Sequence, residues 1–233
     1  HSSTLTAYNS QFNNNSAKGT AGGVHGYPNA KIILYNSEVS DNSNTSYGAG
    51  LYLREKSSGV LVNCFLTGNS STSKNGGGAV MLYDESDVHI ISSTITGNDI
   101  AGPGGGVYRR SKVNNLTVIN SIISGNKQDA TSSDVDAYTD NAGIAPLIKS
   151  SAIMSKIYSE GGSVVSDLSF NPTTMLNADY LPIGADNPAL SNGLNAASLE
   201  AIGQTYNPVL DERIKGDKNK NERSGKIMGA LIK

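Results

Sequence analysis

Tyrosine and arginine residues recur at two fixed positions after each glycine cluster, counted from Gly23, Gly50, Gly78 and Gly106. Two residues later stand His25, Tyr52, Val80 and Tyr108, and four residues later stand Tyr27, Arg54, Leu82 and Arg110. Aromatic rings and guanidinium groups on a flat strip suit stacking and hydrogen bonding to sugars, including acidic sugars. The pattern predicts a ligand-binding strip for glycans, consisting of Tyr27, Tyr52, Arg54, Tyr108 and Arg110. The alternative is that these are ordinary exposed strand residues, because tyrosine favours strands for packing reasons alone.

Acidic residues follow the third glycine cluster, at Asp84, Glu85 and Asp87. Together with Arg110 one repeat away, they are the residue types that lyase chemistry requires. Asp84, Asp87 and Arg110 are therefore the catalytic candidates. The alternative is that residues 85–87 form the turn into the next strand.

A second acidic segment, residues 127–140, contains Asp134 and Asp136. Spaced carboxylates in a loop can hold Ca²⁺ through oxygen ligands. The spacing lacks the glycine and the terminal glutamate of an EF-hand loop. No cofactor is predicted on this basis, and Asp134 and Asp136 stand as the candidate ligands if Ca²⁺ binds.

The elements that position these residues follow from an internal repeat. Its marker residue recurs at spacings of 27, 27, 29 and 28 residues, at Asn9, Asn36, Asn63, Ser92 and Asn120. A fixed period in the range of about 20 to 50 residues indicates a solenoid. Each unit ends on an asparagine, namely Asn15, Asn42, Asn69, Asn98 and Asn126. We expect these asparagines to form a turn-stabilising hydrogen-bonded ladder rather than a polar ligand track.

Each repeat consists of alternating apolar residues typical of strands. In the fifth copy Leu116, Val118 and Ile123 face inward, whereas Thr117 and Ile119 face outward. A second strand follows each glycine cluster, and polar loops of unequal length should project from one edge. This arrangement predicts an all-β fold, a single-stranded right-handed parallel β-helix with about 27–29 residues per coil. Cys64 stands where other copies have serine, and is expected to be a small stacked side chain rather than a nucleophile.

Composition sets the remaining limits. The 233 residues carry a formal net charge of −2, which gives no indication of a nucleic-acid partner. No apolar run approaches the length of a membrane span. We expect β-helix coils over residues 1–145 and irregular coils with a C-terminal capping segment over residues 146–233. The bare first coil leads us to expect that the chain is the C-terminal part of a longer protein.

Two motifs carry a family resemblance: Gly-Gly-Gly-Val-Tyr at residues 104–108 and Asn-Ser-Ile-Ile-Ser-Gly-Asn at residues 120–126. They resemble surface β-helix proteins of the pectate-lyase-like superfamily. The C-terminal segments at residues 187–193, 211–223 and 227–231 are similar to those of Bacteroidetes proteins with a choice-of-anchor region. The resemblance implies a secreted or outer-surface protein whose anchor lies outside this chain. It carries over no catalytic residue.

Two functions remain open. The preferred one is a monomeric structural or adhesive β-helix that binds a polysaccharide or another glycan without chemistry. The alternative is a carbohydrate-active enzyme, a polysaccharide lyase or glycoside hydrolase acting on acidic polysaccharide. The discriminating observation is whether two or more carboxylates converge with Arg, Lys or His in an outward groove.

Overall fold

The computed structural model describes residues 2–110, 115–129, 131–132, 134–137, 147–149, 151–153 and 175–178. Within these ranges the chain winds through four complete coils of four strands each and continues into further strands. The predicted C-terminal capping segment, from residue 146 onward, lies almost entirely outside the described residues. None of the described residues forms a helix of the length and apolar character needed to cross a membrane.

The strands are short, and most coils use the same four lengths. The first two coils contain β1 (Thr4–Tyr8), β2 (Gln11–Asn13), β3 (Ser16–Ala17), β4 (Val24–Gly26), β5 (Lys31–Tyr35), β6 (Glu38–Ser40), β7 (Ser43–Asn44) and β8 (Leu51–Leu53). The next two contain β9 (Ser58–Val62), β10 (Phe65–Thr67), β11 (Ser70–Ser71), β12 (Val80–Leu82), β13 (Asp87–Ile91), β14 (Thr94–Thr96), β15 (Asp99–Ile100) and β16 (Val107–Arg109). Beyond them lie β17 (Asn115–Ile119), β18 (Ile122–Ile123), β19 (Lys127–Gln128), β20 (Thr131–Ser132), β21 (Val135–Ala137), β22 (Leu147–Lys149) and β23 (Ala152–Ile153).

Each strand pairs with its counterpart in the next coil, which produces four sheets along the solenoid. Sheet A has the order β1-β5-β9-β13-β17-β22 and sheet B the order β2-β6-β10-β14-β18-β23. Sheet C contains β3, β7, β11, β15, β19 and β20, and sheet D contains β4, β8, β12, β16 and β21. All these pairings are parallel except that of β19 with β20. The predicted parallel β-helix is confirmed.

The core lies inside the coils and follows the predicted alternation. Leu116, Val118 and Ile123 belong to the inner apolar cluster, together with the matching residues of the earlier coils. Ile119 belongs to a separate cluster on the outer face of sheet A. Sheet C was not predicted. Its two-residue strands are polar or mixed in sequence, so they give no alternating apolar pattern, and the segments expected to be loops are in part strands.

Asparagine serves two distinct purposes in this chain. All five marker residues adopt left-handed backbone conformations, with φ between 48° and 53°. The asparagine that ends each unit instead forms the ladder: Asn42 Nδ2 donates to Asn69 Oδ1 at 3.0 Å, and Asn69 Nδ2 donates to Asn98 Oδ1 at 2.8 Å. The predicted ladder is confirmed. Asn is suited to both positions because it tolerates the left-handed region and carries both a donor and an acceptor.

Cys64 is buried in a stack of serines that hydrogen-bond from coil to coil. Its backbone N–H donates to Ser93 Oγ at 3.0 Å, and its thiol contacts the carbonyl oxygens of Leu34 and Val62 at 3.3 Å. Ser93 and Ser121 repeat this geometry with hydroxyl groups.

The first prediction follows from this stack. Cys64→Ser should change the free energy of unfolding by less than about 1 kcal/mol, because the hydroxyl can make the same local bonds. Cys64→Val should cost about 1 kcal/mol, since valine fills the space but removes the thiol's hydrogen bonds to the carbonyls of Leu34 and Val62, the second of which keeps its bond from the Asn36 N–H. Urea denaturation of the three proteins measures the difference. Equal losses for Ser and Val would contradict a hydrogen-bonding role.

Candidate functional site

Sheet D presents two outward columns of side chains. Its register pairs His25 with Tyr52, Tyr52 with Met81, and Met81 with Tyr108. We call these four residues the aromatic row, although its third member, Met81, is not aromatic. Two positions further along each coil stand Tyr27, Arg54, Tyr83 and Arg110, which we call the Tyr/Arg column.

The prediction for the third coil was wrong by one residue. Val80 and Leu82 face inward and are fully buried in the core, and Met81 and Tyr83 take the outward positions. The reason is that Ala79, not Gly78, occupies the position of Gly50, since the backbone N–H of Leu51 donates to the carbonyl of Ala79. Counting back from Ser57 and Ser86, which precede β9 and β13, would have given the correct register.

The aromatic row points outward as predicted, yet most of it is covered. Tyr52 is 1% exposed and Tyr108 is 3% exposed, and both pack with Met81 in an outer cluster. Glycine backbone lies against them: a Cβ on Gly48 would stand 2.7 Å from Cβ of Tyr52, and a Cβ on Gly76 would overlap the ring of Tyr108. The glycine clusters therefore bury the two tyrosines that were predicted to contact ligand. Direct contact of a glycan with Tyr52 or Tyr108 does not fit this geometry.

Burial also governs the titration of this row. It raises the pKa of Tyr52 to about 12, with Arg54 opposing the rise. Burial lowers the pKa of His25, and the positive charge of Arg54 lowers it further. The His25 ring stacks on Tyr52 at 5.0 Å between ring centroids. Both side chains are thus held neutral beside Arg54 at physiological pH.

The Tyr/Arg column alternates rings and cations along the solenoid axis. Arg54 Cζ lies 4.5 Å from the ring centroid of Tyr27, and Arg110 Cζ lies 4.9 Å from that of Tyr83. Tyr27 is 48% exposed, and the side chain of Arg54 is 31% exposed. These cation–π contacts hold each guanidinium group in one place at the surface.

Tyr47 joins the column from the loop before the second glycine cluster. Its ring centroid lies 4.9 Å from Arg110 Cζ, and Arg110 hydrogen-bonds to it. Burial lowers the pKa of Arg110, but the hydrogen bond to Tyr47 and the nearby tyrosines outweigh this effect, so the pKa is raised overall. The sequence analysis missed Tyr47 because it lies outside the repeated strands, where no periodic signal marks it.

The acidic residues of the third coil form a turn. Asp84 and Glu85 have positive φ of 46° and 47°, Ser86 Oγ donates to the carbonyl of Asp84 at 3.1 Å, and Asp87 begins β13. The second coil repeats this turn at Glu55 and Lys56. The turn alternative is therefore confirmed for the segment around Glu85.

The charged residues of these turns form two ion pairs. Arg54 pairs with Glu55 at 2.6 Å, and Lys56 pairs with Glu85 at 3.6 Å. Arg110 contacts Tyr47 and Tyr83 instead, and the described residues include no ion pair between it and Asp84. Asp84, Asp87 and Arg110 are thus not joined into a charged cluster.

Asp134 takes a structural position rather than a metal-binding one. Its Oδ1 accepts hydrogen bonds from the backbone N–H and the Nδ2 of Asn126, at 2.9 and 3.0 Å. It caps the asparagine ladder at Asn126, within the same coil, so the candidate calcium role of this carboxylate is not favoured. Asp136 pairs with Tyr108 through β21, and its side chain lies outside the described set. Among the described residues, no group of three or more His, Cys, Asp or Glu side chains is placed to hold a metal ion.

Comparisons with known proteins bear on the fold. Residues 1–158 match the family model described as "Right handed beta helix region". Neither a curated protein nor a solved structure matches the chain. The match covers more than half of the chain and coincides with the coils of parallel strands. The chain therefore belongs to the right-handed β-helix family.

Proposed function

We propose that this chain is part of a secreted or cell-surface β-helix protein with a structural or adhesive role. In this proposal it acts as a monomer, needs no nucleic-acid partner, and binds glycan through the Tyr/Arg column. One observation carries the proposal: two arginines, Arg54 and Arg110, are held against tyrosine rings at equivalent positions two coils apart. Because adjacent coils are about 4.8 Å apart, the two guanidinium groups lie roughly 10 Å from each other along the axis.

Rigid arginines favour an acidic glycan over a neutral one. A guanidinium group offers paired N–H donors that match a carboxylate or sulfate. The ring contacts and the Arg54–Glu55 ion pair already restrict the side chain, so little conformational entropy remains to be lost on binding. The burial of Tyr52 and Tyr108 limits the surface to Tyr27, Arg54, Tyr83 and Arg110, with Tyr47 beside them.

Arg54→Gln should weaken binding of an acidic oligosaccharide about tenfold or more, because a hydrogen bond to a charged group contributes about 1.5 to 3 kcal/mol. A glycan array of acidic and neutral oligosaccharides, with and without calcium, identifies the ligand, and calorimetry then compares the variants. Lys18→Gln is the matched control, since it removes an exposed cation that is not a member of the column. Equal weakening of binding by Arg54→Gln and Lys18→Gln would contradict the proposed site. It would indicate a general electrostatic attraction between the acidic glycan and the positive charges of the chain.

The alternative is a polysaccharide lyase or glycoside hydrolase. It is favoured by a shallow depression of about 380 Å³ beside the column, lined by Pro28, Asn29, Glu55, Lys56, Asp84 and Glu85. Carboxylates and a lysine do meet there, although the ion pairs described above already engage three of them. Incubation with acidic polysaccharides, followed by assays for unsaturated products and for new reducing ends, tests this alternative. Product formation that Asp84→Asn abolishes would support the enzyme.

A further inference from the structure

The turn between β11 and β12 contains an exposed asparagine that is followed by glycine. The sequence has two Asn-Gly pairs, Asn75-Gly76 and Asn192-Gly193, and the second lies outside the described residues. Asn75 is exposed, and its backbone N–H donates to Ser73 Oγ at 3.1 Å. The backbone nitrogen that follows an asparagine can attack the side-chain amide carbon, because the two atoms close a five-membered ring. Glycine hinders this attack least, since it has no side chain.

The nitrogen that would make this attack is not engaged in the folded chain. Among the described residues, neither the N–H of Gly76 nor the side-chain amide of Asn75 forms a hydrogen bond. A Cβ on Gly102 of the next coil would stand 2.8 Å from the Gly76 nitrogen, so glycine there leaves room beside this atom. Gly76 itself is buried, and solvent reaches its N–H when the turn opens. Local opening of an exposed polar turn costs little free energy.

The ladder asparagines are protected from the same reaction. Asn42, Asn69 and Asn98 are fully buried, and their side-chain amides are hydrogen-bonded to neighbouring coils. The N–H that follows each of them donates to a carbonyl of the preceding coil at 2.8 to 3.0 Å, from Ser43, Ser70 and Asp99 respectively. Attack at these positions requires the coils to separate, which is a much larger opening than that of a turn.

We propose that Asn75 is a site of spontaneous covalent modification, where asparagine is converted to aspartate and isoaspartate with water as the co-reactant. The Gly76 nitrogen loses its proton to solvent base and forms a bond to Cγ of Asn75. The bond between Cγ and Nδ2 then breaks, and the amide nitrogen takes up a proton and leaves as ammonia. Water adds to one of the two carbonyl carbons of the resulting succinimide and opens the ring. One opening gives aspartate, and the other gives isoaspartate, whose main chain is longer by one methylene group.

The modification changes the packing on Tyr108. Gly76 lies so close to this ring that a Cβ on it would overlap the ring. An additional main-chain atom at residue 75 displaces Gly76 from this position, and the new carboxylate adds a negative charge to the turn. The near-ultraviolet circular dichroism of the tyrosines should therefore change as isoaspartate accumulates.

The test follows each asparagine by mass spectrometry while the full chain is kept at mildly alkaline pH, either folded or in urea. Pepsin digestion at acid pH stops the reaction, tandem spectra locate each gain of about one dalton, and an isoaspartate methyltransferase labels the isoaspartate. In the folded chain, Asn75 should react at least about tenfold faster than Asn15, a difference in barrier of about 1.4 kcal/mol. Asn15 is the matched comparison because it is exposed, but it is followed by serine and its amide is bonded to Asn42.

Comparison of the folded and unfolded chains tests the structural part of the proposal. Folding should slow the reaction of Asn69 by about a hundredfold or more and that of Asn75 by less than about tenfold. Asn75→Gln should abolish the reaction at residue 75, since glutamine would need a larger ring, and should keep its tyrosine spectrum on ageing. An unmodified Asn75 in the folded chain, at a time when this residue has reacted in urea, overturns the proposal. Equal rates at Asn75 and Asn15 in the folded chain overturn it as well.

Discussion

Replacing Asn69 by alanine is expected to lower the free energy of unfolding by about 3 kcal/mol. Asn69 is fully buried at the middle of the ladder. Its Oδ1 accepts from the backbone N–H and the Nδ2 of Asn42, and its Nδ2 donates to Asn98 Oδ1 and to the carbonyl of Val39. Alanine leaves the Asn42 N–H without a partner, removes three further hydrogen bonds and opens a small void.

Thermal and urea denaturation measure this loss, and Asn15→Ala is the matched control. Asn15 is exposed at the end of the ladder, where its side chain donates to Asn42 Oδ1 at 2.9 Å. We expect the control to lose less than about 1 kcal/mol. The Asn69→Ala change should lower the melting temperature by roughly 6 to 12 °C. Similar losses for the two variants would contradict the view that buried ladder bonds hold adjacent coils together.

Gly104→Ala is the second change with a large expected effect, a loss of about 3 to 4 kcal/mol. Gly104 has a φ of +73°, and a Cβ there would overlap Cβ of Tyr108 and stand 2.8 Å from its Cα. The left-handed conformation costs an L-residue about 1 to 2 kcal/mol, and overpacking adds typically 1 to 3 kcal/mol. The backbone must move, and the burial of Tyr108 should be lost with it. Near-ultraviolet circular dichroism of the tyrosines reports that change.

Two other glycines separate the contributions to this loss. Gly97 has a φ of +68°, but a Cβ there would have no heavy atom within 4 Å. Gly97→Ala should therefore cost only the conformational part, about 1 to 2 kcal/mol. Gly19 has neither a positive φ nor a neighbour within 4 Å, so Gly19→Ala should be neutral or slightly stabilising. An equal loss in Gly97→Ala and Gly104→Ala would contradict the role of close packing on Tyr108.

The repeat of 27 to 29 residues was sufficient to predict the coil, its inner residues and its ladder. These features are local and periodic, because every coil must satisfy the same backbone and core requirements as the next. The prediction failed where one coil satisfied a requirement with a different residue. Ala79 replaces a glycine, and this single change displaced Val80 and Leu82 from the outward positions assigned to them.

The candidate site was predicted less completely than the coil. Tyr27, Arg54 and Arg110 were placed correctly at the surface, whereas Tyr83 and Tyr47 were missed. The direction in which Tyr52 and Tyr108 point was correct, but the alternation of a strand says nothing about what lies above its outer face. Here the glycine clusters fold against these rings, and only three-dimensional contact reveals their burial.

The sequence by itself therefore determined the parallel β-helix, its period and the asparagine ladder. It could do so because each coil repeats the same short-range pattern, so the signal is present five times. The tertiary structure decided which outward side chains remain accessible and that Asp134 ends the ladder. The burial of Tyr108 depends in part on Gly76 of the preceding coil. The contact of Asp134 with Asn126 joins residues eight positions apart and lies outside the repeated pattern. These side chains come into contact only in the folded protein, and the sequence repeat contains no pattern that predicts the contact.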